Sequence, residues 1–586
     1  MQLSRREFIR ILGLAGAAGL IPGLASSRTS GADIYEMQGF GDVRLLHITD
    51  THAQLMPIYY REPNLNLGVG EALGRPPHLV TASLLKYYGV SPDTPLAHAY
   101  TPLNFVDAAQ KYGKVGGFAQ LKTLVEKVRE EFGRSKTLLF DTGDTWQGSG
   151  TALWSRGTDM VEVTNQLGVD VMTGHWEFTY LDKEVRKNLA AFKGDFVAQN
   201  VKVKEDALFN GAQAFDERSG HAFRPYVMKE LGKHRIAVIG QAFPYTPIAN
   251  PGRFIPDWTF GINAIELQEL VNSVRSKEKP DAVILISHNG MDVDLKLARE
   301  VTGIDVIFGG HTHDAVPQPF EVRNKTGRTL VTNAGSNGKF LGVMDLKLGN
   351  GGVKEFRYRL LPVFANELAA DASMKALIER IRAPHLAKLE KPLATAGTLL
   401  YRRGNFDGPF DQVICDALRS RNEAQISLSP GFRWGTTVLP GQTITMEHVL
   451  DQTCMTYPET YARDMTGLEI KNILEDVADN LFNPDPYYQQ GGDMVRVGGM
   501  SYRIDPVAAM GSRIDDMRLE NGTLVDASKK YRVAGWATVG ASSTGEPVWD
   551  TVAAHLQDVK TVEIRKLNVP VLKNAASNPG LDFSVS

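Results

Sequence analysis

Cysteine is nearly absent from this chain: Cys415 and Cys454 are the only two in 586 residues, so at most one disulfide can form. Cys415 sits in the helical pattern FDQVICDAL, where a buried thiol is at least as natural as a bridge, and neither residue is given a catalytic role. An excess of charge is absent as well. A formal net charge of −3 from 64 basic and 67 acidic residues excludes a general affinity for nucleic acid or for an anionic membrane surface. There are no internal repeats and no low-complexity tracts, and the apolar stretch near the N-terminus, ILGLAGAAGLIPGLA, is too short to span a bilayer comfortably.

What is present begins with that stretch. Arg5-Arg6 precede it and Ser26-Ser27 follow it, the pattern of a twin-arginine export signal over residues 1–29 with cleavage near Ala25. That route carries folded proteins to the periplasm, which suits a metal loaded before export. The length exceeds what one hydrophobic core supports. The chain divides into residues 30–365, a linker helix within 366–392, and a second, mixed α/β domain over 393–586.

The first domain repeats one pattern five times. Residues 43–49 (VRLLHIT) run into Asp50-Thr51-His52, and 136–140 (KTLLF) into Asp141-Thr142-Gly143-Asp144. Residues 169–173 lead to Gly174-His175-Trp176-Glu177, 282–287 to His288-Asn289-Gly290, and 304–308 to Gly309-Gly310-His311-Thr312-His313. Apolar strands alternating with amphipathic helices such as 117–132 predict a layered α/β sandwich, in which ligands gather at the carboxyl ends of the strands. Five such ends carrying Asp or His are hard to attribute to capping. The Pro/Gly/Tyr-rich residues 54–116 read as a partly structured insertion over the site.

Seven candidate ligands follow: Asp50, His52, Asp144, His175, His288, His311 and His313. They are too many for one tetrahedral zinc and suit two divalent ions, with Asp144 as the bridge. Paired ions lower the pKa of a shared water and clamp the oxygens of a tetrahedral anion, which is hydrolase chemistry.

The order Asp-x-His, Gly-Asp, Gly-x-x-Glu, His and Gly-His-x-His resembles the calcineurin-like metallophosphoesterases, and the second domain with its linker helix resembles the 5′-nucleotidase family. The resemblance implies Asp50, His52, Asp144 and His313 around one ion, and Asp144, His175, His288 and His311 around the other. Trp176 and Glu177 join Asp144 and His175 as catalytic candidates. Glu177 is expected to orient a ligand, because metal-bound His usually donates its other N–H to an oxygen. Trp176 lines a narrow slot or fills vacated space.

The departures from that family are informative. Where nucleotidases carry Gly-Asn-His-Glu-Phe-Asp, this chain has Gly174-His175-Trp176-Glu177-Phe178-Thr179, so the catalytic His-Asp pair is replaced by Trp176 and Thr179. Neither Pro458-Glu459-Thr460-Tyr461 nor the stretch from Met494 to Gly499 carries the aromatic residue that helps sandwich a nucleobase. These departures, with Tyr401-Arg402-Arg403-Gly404-Asn405-Phe406 and the long insertion, resemble the thiosulfohydrolases of the bacterial Sox thiosulfate-oxidising system. That resemblance implies two Mn2+ ions and attack of a metal-bound hydroxide on a sulfonate joined through sulfur to a cysteine. The cysteine would belong to the C-terminal arm of a transiently docked Sox carrier protein, and sulfate would be released.

A sulfur leaving group explains the lost pair: a Cys thiol has a pKa of about 8.5, so its anion needs little protonation. Arg402, Arg403 and Arg433 offer fixed forks of donors for sulfonate oxygens, with Asn405 as a neutral donor. The alternatives are a periplasmic 5′-nucleotidase-like phosphoesterase, opposed by the missing aromatics, and a non-catalytic binding module, opposed by the complete ligand set. Ligand chemistry alone leaves manganese, zinc and iron open.

Overall fold

The computed structural model describes residues 34–406, 408–540 and 543–582, and the predicted export signal lies outside them. Among the described residues no helix is long and apolar enough to cross a membrane.

Alternation along the strands decides the layering. In strand Val43–Ile48, Val43 and Leu45 enter one core and Leu46 and Ile48 another, all of them buried. Such a strand belongs in the middle of a covered sheet, and it pairs parallel with Thr137–Asp141 and antiparallel with Phe340–Gly349. The first sheet runs in spatial order Gly352–Pro362, Phe340–Gly349, Val43–Ile48, Thr137–Asp141, Val171–Met172 and Asp195–Phe196. The second runs Phe320–Arg323, Arg328–Asn333, Val306–Gly309, Ala282–Ser287, His234–Gln241 and Tyr226–Leu231.

The facing sides of the two sheets share one core, in which Leu45, Phe140 and Val171 join Val238, Ile284 and Phe308. Helix Phe118–Phe132 covers the outer face of the first sheet, while Ala264–Lys277 and Met291–Glu300 cover that of the second. The layered α/β sandwich expected from the sequence is the fold. Parallel pairing aligns the strand ends, with Ile48 opposite Asp141, Asp141 opposite Met172, and Phe308 opposite Ile286. Each of these strands therefore delivers its following loop to one edge.

The linker helix expected near 371–389 is two pieces. Ala372–Arg382 is capped by the Asp371 carboxylate, which accepts the Met374 N–H at 2.8 Å. A short turn at Ala383–His385 separates it from Leu386–Leu389, because Pro384 has no N–H to continue the ladder. Met374, Leu377 and Ile378 pack on the first domain, and Leu389 packs into the second. The second domain is built on a four-stranded sheet, Thr460–Thr466, Lys530–Trp536, Ile426–Gly431 and Asp493–Gly498, with helices Pro409–Arg421 and Gly467–Phe482. Cys415 and Cys454 are both buried and form no disulfide.

The insertion is more ordered than its composition suggested. It contains helices Thr81–Tyr88, Pro95–Tyr100 and Phe105–Tyr112. Residues 58–67 thread between the domains, with bridges from Ile58 to Val115, Tyr59 to Thr437 and Leu65 to Leu581.

One ion pair anchors the first sheet to its helix. The wholly buried Arg44 guanidinium donates to both carboxylate oxygens of Asp345, at 2.6 and 2.8 Å, and to the Val128 carbonyl at 2.9 Å. Arg44→Ala strands Asp345 and is expected to destabilise the first domain by about 3–5 kcal/mol, read from urea unfolding. A loss of only about 1 kcal/mol, the worth of an exposed pair, would contradict this.

Candidate metal centre

The loops at the strand ends are bound to one another through the main chain. The Asp50 N–H donates to the Gly143 carbonyl and the His52 N–H to the Asp144 carbonyl, both at 2.8 Å. The Asp50 carboxylate accepts the His311 N–H at 3.0 and 3.1 Å. Asp50, His52, Asp144, His311 and His313 all hold left-handed backbone, with φ between 46 and 73°. Each such residue costs about 1–3 kcal/mol, a strain that persists where side chains must converge. At Gly310 a Cβ would fall 2.5 Å from Thr49 Oγ1 and 3.0 Å from His288 Nδ1, so only glycine lets this loop approach.

All seven candidate ligands are brought into one buried cluster. One donor atom from each of Asp50, His52, Asp144 and His313 lies within 4.8 Å of the others, and the same holds for Asp144, His175, His288 and His311. Asp144 belongs to both groups. Its Oδ2 is 3.2 Å from His175 Nδ1, 3.1 Å from His288 Nε2 and 3.9 Å from His52 Nε2.

The donor set fits two cations. His288 donates its Nδ1–H to the Thr142 carbonyl at 2.6 Å, which leaves the Nε2 lone pair facing the carboxylates, the tautomer a metal ligand requires. The Nε2 atom of His288 is buried without a hydrogen-bond partner, and those of His52 and His313 face each other at 3.1 Å. A pair of cations would satisfy these lone pairs.

The buried charges of the cluster act strongly on one another. Burial opposes charge on Asp144, but His175 and His288 outweigh it and hold the carboxyl well below its usual range. Burial dominates at Asp50 and raises its pKa. At His52 burial lowers the pKa to about 4, whereas at His288 the carboxylates of Asp144 and Asp50 overcome burial and lift it to about 10.

Around this cluster several expectations need correction. Glu177 orients ligands through the main chain rather than through an imidazole N–H: its carboxylate accepts the backbone N–H groups of Asp144, Thr145, Trp146 and His175 at 2.8–3.2 Å, tying two ligand loops together. Arg402 is not available to a substrate. It is 2% exposed, and its guanidinium is engaged by Asp411 at 2.7 Å and by the carbonyls of Gln452 and Pro430. Asn405 lines the same cavity as Arg403 and Arg433, and there its Oδ1 accepts the Leu67 N–H at 2.7 Å and its Nδ2 donates to Asp493 at 3.3 Å.

Arg403 and Arg433 do line a cavity of about 60 Å³ beside His311. Arg433 donates to the Gly492 carbonyl at 2.7 Å and lies 3.4 Å from the Asp493 carboxylate. The neighbouring Gly491 presses on the ligand loop, for a Cβ there would lie 1.9 Å from His311 Nε2.

Trp176 is buried and meets the rings of His175, Trp434 and Phe432 at 4.7, 5.6 and 5.8 Å. Phe432 and Trp434 stack at 4.3 Å, and Trp434 covers His52 at 5.1 Å. Phe243 packs on His175 and His311, both at 4.1 Å. Sequence reasoning missed Trp434 and Phe243. The only local signal for Trp434 was its position directly after Gly431-Phe432-Arg433.

With this geometry in view, two family models match the chain: calcineurin-like phosphoesterase over residues 43–315, and 5′-nucleotidase, C-terminal domain, over 387–551. The chain belongs to the 5′-nucleotidase and calcineurin-like metallophosphoesterase superfamily of hydrolases, and its two buried clusters are able to hold that superfamily's two metal ions. A solved sulfate thiohydrolase SoxB from Thermus thermophilus, in complex with glycerol, is 35% identical, covers 92% of this chain and 98% of its own, and superimposes with a TM-score of 0.85. A 5′-nucleotidase precursor, also from Thermus thermophilus, shares the fold at 22% identity and a TM-score of 0.71, covering 91% of this chain and 99% of its own. The trifunctional nucleotide phosphoesterase protein YfkN of Bacillus subtilis is 27% identical over 76% of this chain, and the 5′-nucleotidase of Rattus norvegicus 27% over 53%. The chain spans only 32% and 55% of the length of these two curated relatives.

Because Asp144 is shared, Asp144→Ala is expected to strip both ions from the purified protein, whereas His313→Ala strips one. Elemental analysis per chain checks this. Equal metal loss in the two variants would contradict the sharing.

Proposed function

We propose that this protein is a thiosulfohydrolase that removes a terminal sulfonate, joined through sulfur to a cysteine on the C-terminal arm of a Sox carrier protein, and releases sulfate. The observation that carries the reading is Trp176. It stands where the nucleotidase pattern has its catalytic His and is packed among His175, Phe432 and Trp434, so no acid is offered there to a leaving group. The likeness to a sulfate thiohydrolase over nearly the whole length of both chains supports the same substrate class.

In this reading a water oxygen bonds to the sulfonate sulfur, the sulfur–sulfur bond breaks, and its electron pair departs on the carrier sulfur. The products are sulfate, a thiolate or persulfide, and protons passed to solvent. A thiol of pKa about 8.5 leaves as a stable anion, so the missing acid is tolerable. Two divalent ions held by the seven ligands, Mn2+ in our proposal, would lower the pKa of a bound water and neutralise charge on the sulfonate oxygens. Arg403 and Arg433 orient the sulfonate by charge-assisted hydrogen bonds. Trp176, Phe432 and Trp434 form an apolar wall that keeps bulk water away. The proposal extends to a periplasmic location reached through the twin-arginine pair Arg5-Arg6, and to transient carrier docking without nucleic acid or stable membrane attachment.

A nucleotide phosphoesterase is the second reading, favoured by the match of residues 387–551 to the nucleotidase C-terminal domain. Metal-loaded protein should be given S-sulfonated carrier and a nucleoside monophosphate, with sulfate and phosphate release both measured. Sulfate alone is expected. Phosphate without sulfate would overturn the proposal, and release of neither would favour a binding protein. In the same assay Trp176→His with Thr179→Asp should raise sulfate release by less than about tenfold, well short of the 10²–10⁴ that a needed general acid supplies.

A further inference from the structure

Glu177 gathers ligand loops of the first sheet; those of the second meet at the first turn of helix Met291–Glu300. His288 follows strand Ala282–Ser287, and His311 follows strand Val306–Gly309. The Met291 N–H donates to Thr312 Oγ1, between His311 and His313, at 3.3 Å. Gly290, with φ of 102°, lets this turn approach the same loop, for a Cβ there would lie 3.1 Å from Thr312 Cγ2.

Asp294, on that turn, is wholly buried. A carboxylate so far from water depends on the donors around it. Its Oδ1 accepts the Ser287 hydroxyl at 2.7 Å and the Asn289 side-chain amide at 3.3 Å, the residues on either side of His288. Ser287 Oγ in turn accepts the Asn289 N–H at 3.2 Å, and Asn289 Nδ2 also donates to Gln241 Oε1 at 2.6 Å. The His288 N–H donates to the Gln241 carbonyl at 2.9 Å. His288 is thus fixed through its main chain and both neighbours, with its Nδ1 on the Thr142 carbonyl and its Nε2 3.1 Å from Asp144. The other oxygen of Asp294 lies against the second loop. A Cβ on Gly309 would fall 2.7 Å from Oδ2, so the carboxylate occupies space that this glycine leaves open two residues before His311.

We propose that Asp294 is a positioning residue for the ion held by Asp144, His175, His288 and His311. By accepting from Ser287 and Asn289 it holds the His288 imidazole toward Asp144, and by seating against Gly309 it sets the approach of the His311 loop. Two of this ion's four ligands come from the second sheet, whereas the other ion takes only His313 from it. The inference rests on the metal centre alone and holds for either substrate class.

Stepwise titration of Mn2+ into chelator-stripped wild type, Asp294→Ala and Asp294→Asn tests it, with the Tm of each metal-free protein measured alongside. Asp294→Ala is expected to weaken one of the two ions by about 10–100-fold, the usual cost of losing a group that orients a metal-bound histidine, and to leave the other unchanged. Combined with His313→Ala, it should weaken the one ion that remains by the same factor. Asp294→Asn, which keeps an accepting oxygen for Ser287 and Asn289, should bind both ions as the wild type does. A merely structural residue would lower the metal-free Tm without separating the two affinities. Equal weakening of both ions, unchanged affinity for both, or Asp294→Asn behaving as Asp294→Ala would each overturn the proposal. Should Asp294→Ala fail to fold, Ser287→Ala, which removes the closer donor to Asp294, is expected to weaken the same ion, and unchanged affinity there would overturn the proposal. A wild type that binds a single ion would overturn the two-ion centre itself.

Discussion

The constraint on which the rest depends is that one carboxylate, Asp144, must face ligands from both sheets at once. His52 comes from the first sheet and His288 from the second, and both approach Asp144 Oδ2. The seven converging ligands bring two carboxylates and five imidazoles together away from water, a donor set that two cations would satisfy. Everything around serves that convergence. Five ligand residues accept left-handed backbone, Gly310 gives up its side chain, and Glu177 gathers four amides that would otherwise be buried without acceptors.

In the proposed reading, specificity arises in the second domain and the insertion. The second domain sets Phe432 and Trp434 against Trp176 and His52, and lays Gly491 against His311. It also supplies Arg403 and Arg433, one through the turn before helix Pro409–Arg421 and the other just after strand Ile426–Gly431. The insertion closes the arrangement by threading between the domains. In that reading a single polar edge carries hydrolysis, and the surfaces that meet it select what is hydrolysed.

The sandwich and the ligand loops were legible because their signals are local. An uninterrupted apolar run predicts a strand covered on both faces, and the residue after it lies at the sheet's edge whatever the rest of the chain does. The fates of Arg402 and Arg403 were not legible. Neighbours in sequence, they diverge because Asp411 and two carbonyls capture the first, while the second reaches the Thr312 carbonyl on the ligand loop. Glu177 misled for a related reason: a carboxylate beside a ligand was expected to hold an imidazole, but four backbone N–H groups at the loop crossing claim it. Phe243 carries no motif and Trp434 only its place after Arg433, and tertiary packing brings both onto the ligand rings.

The account stands on Asp144 joining two ion sites with a cationic anion pocket beside them. Anomalous diffraction at the manganese edge, from crystals grown with Mn2+ and sulfate, tests that directly. Two anomalous peaks that both contact Asp144, with sulfate held between them and the guanidinium groups of Arg403 and Arg433, are the expected result. A single peak, or two ions that do not share Asp144, would contradict it.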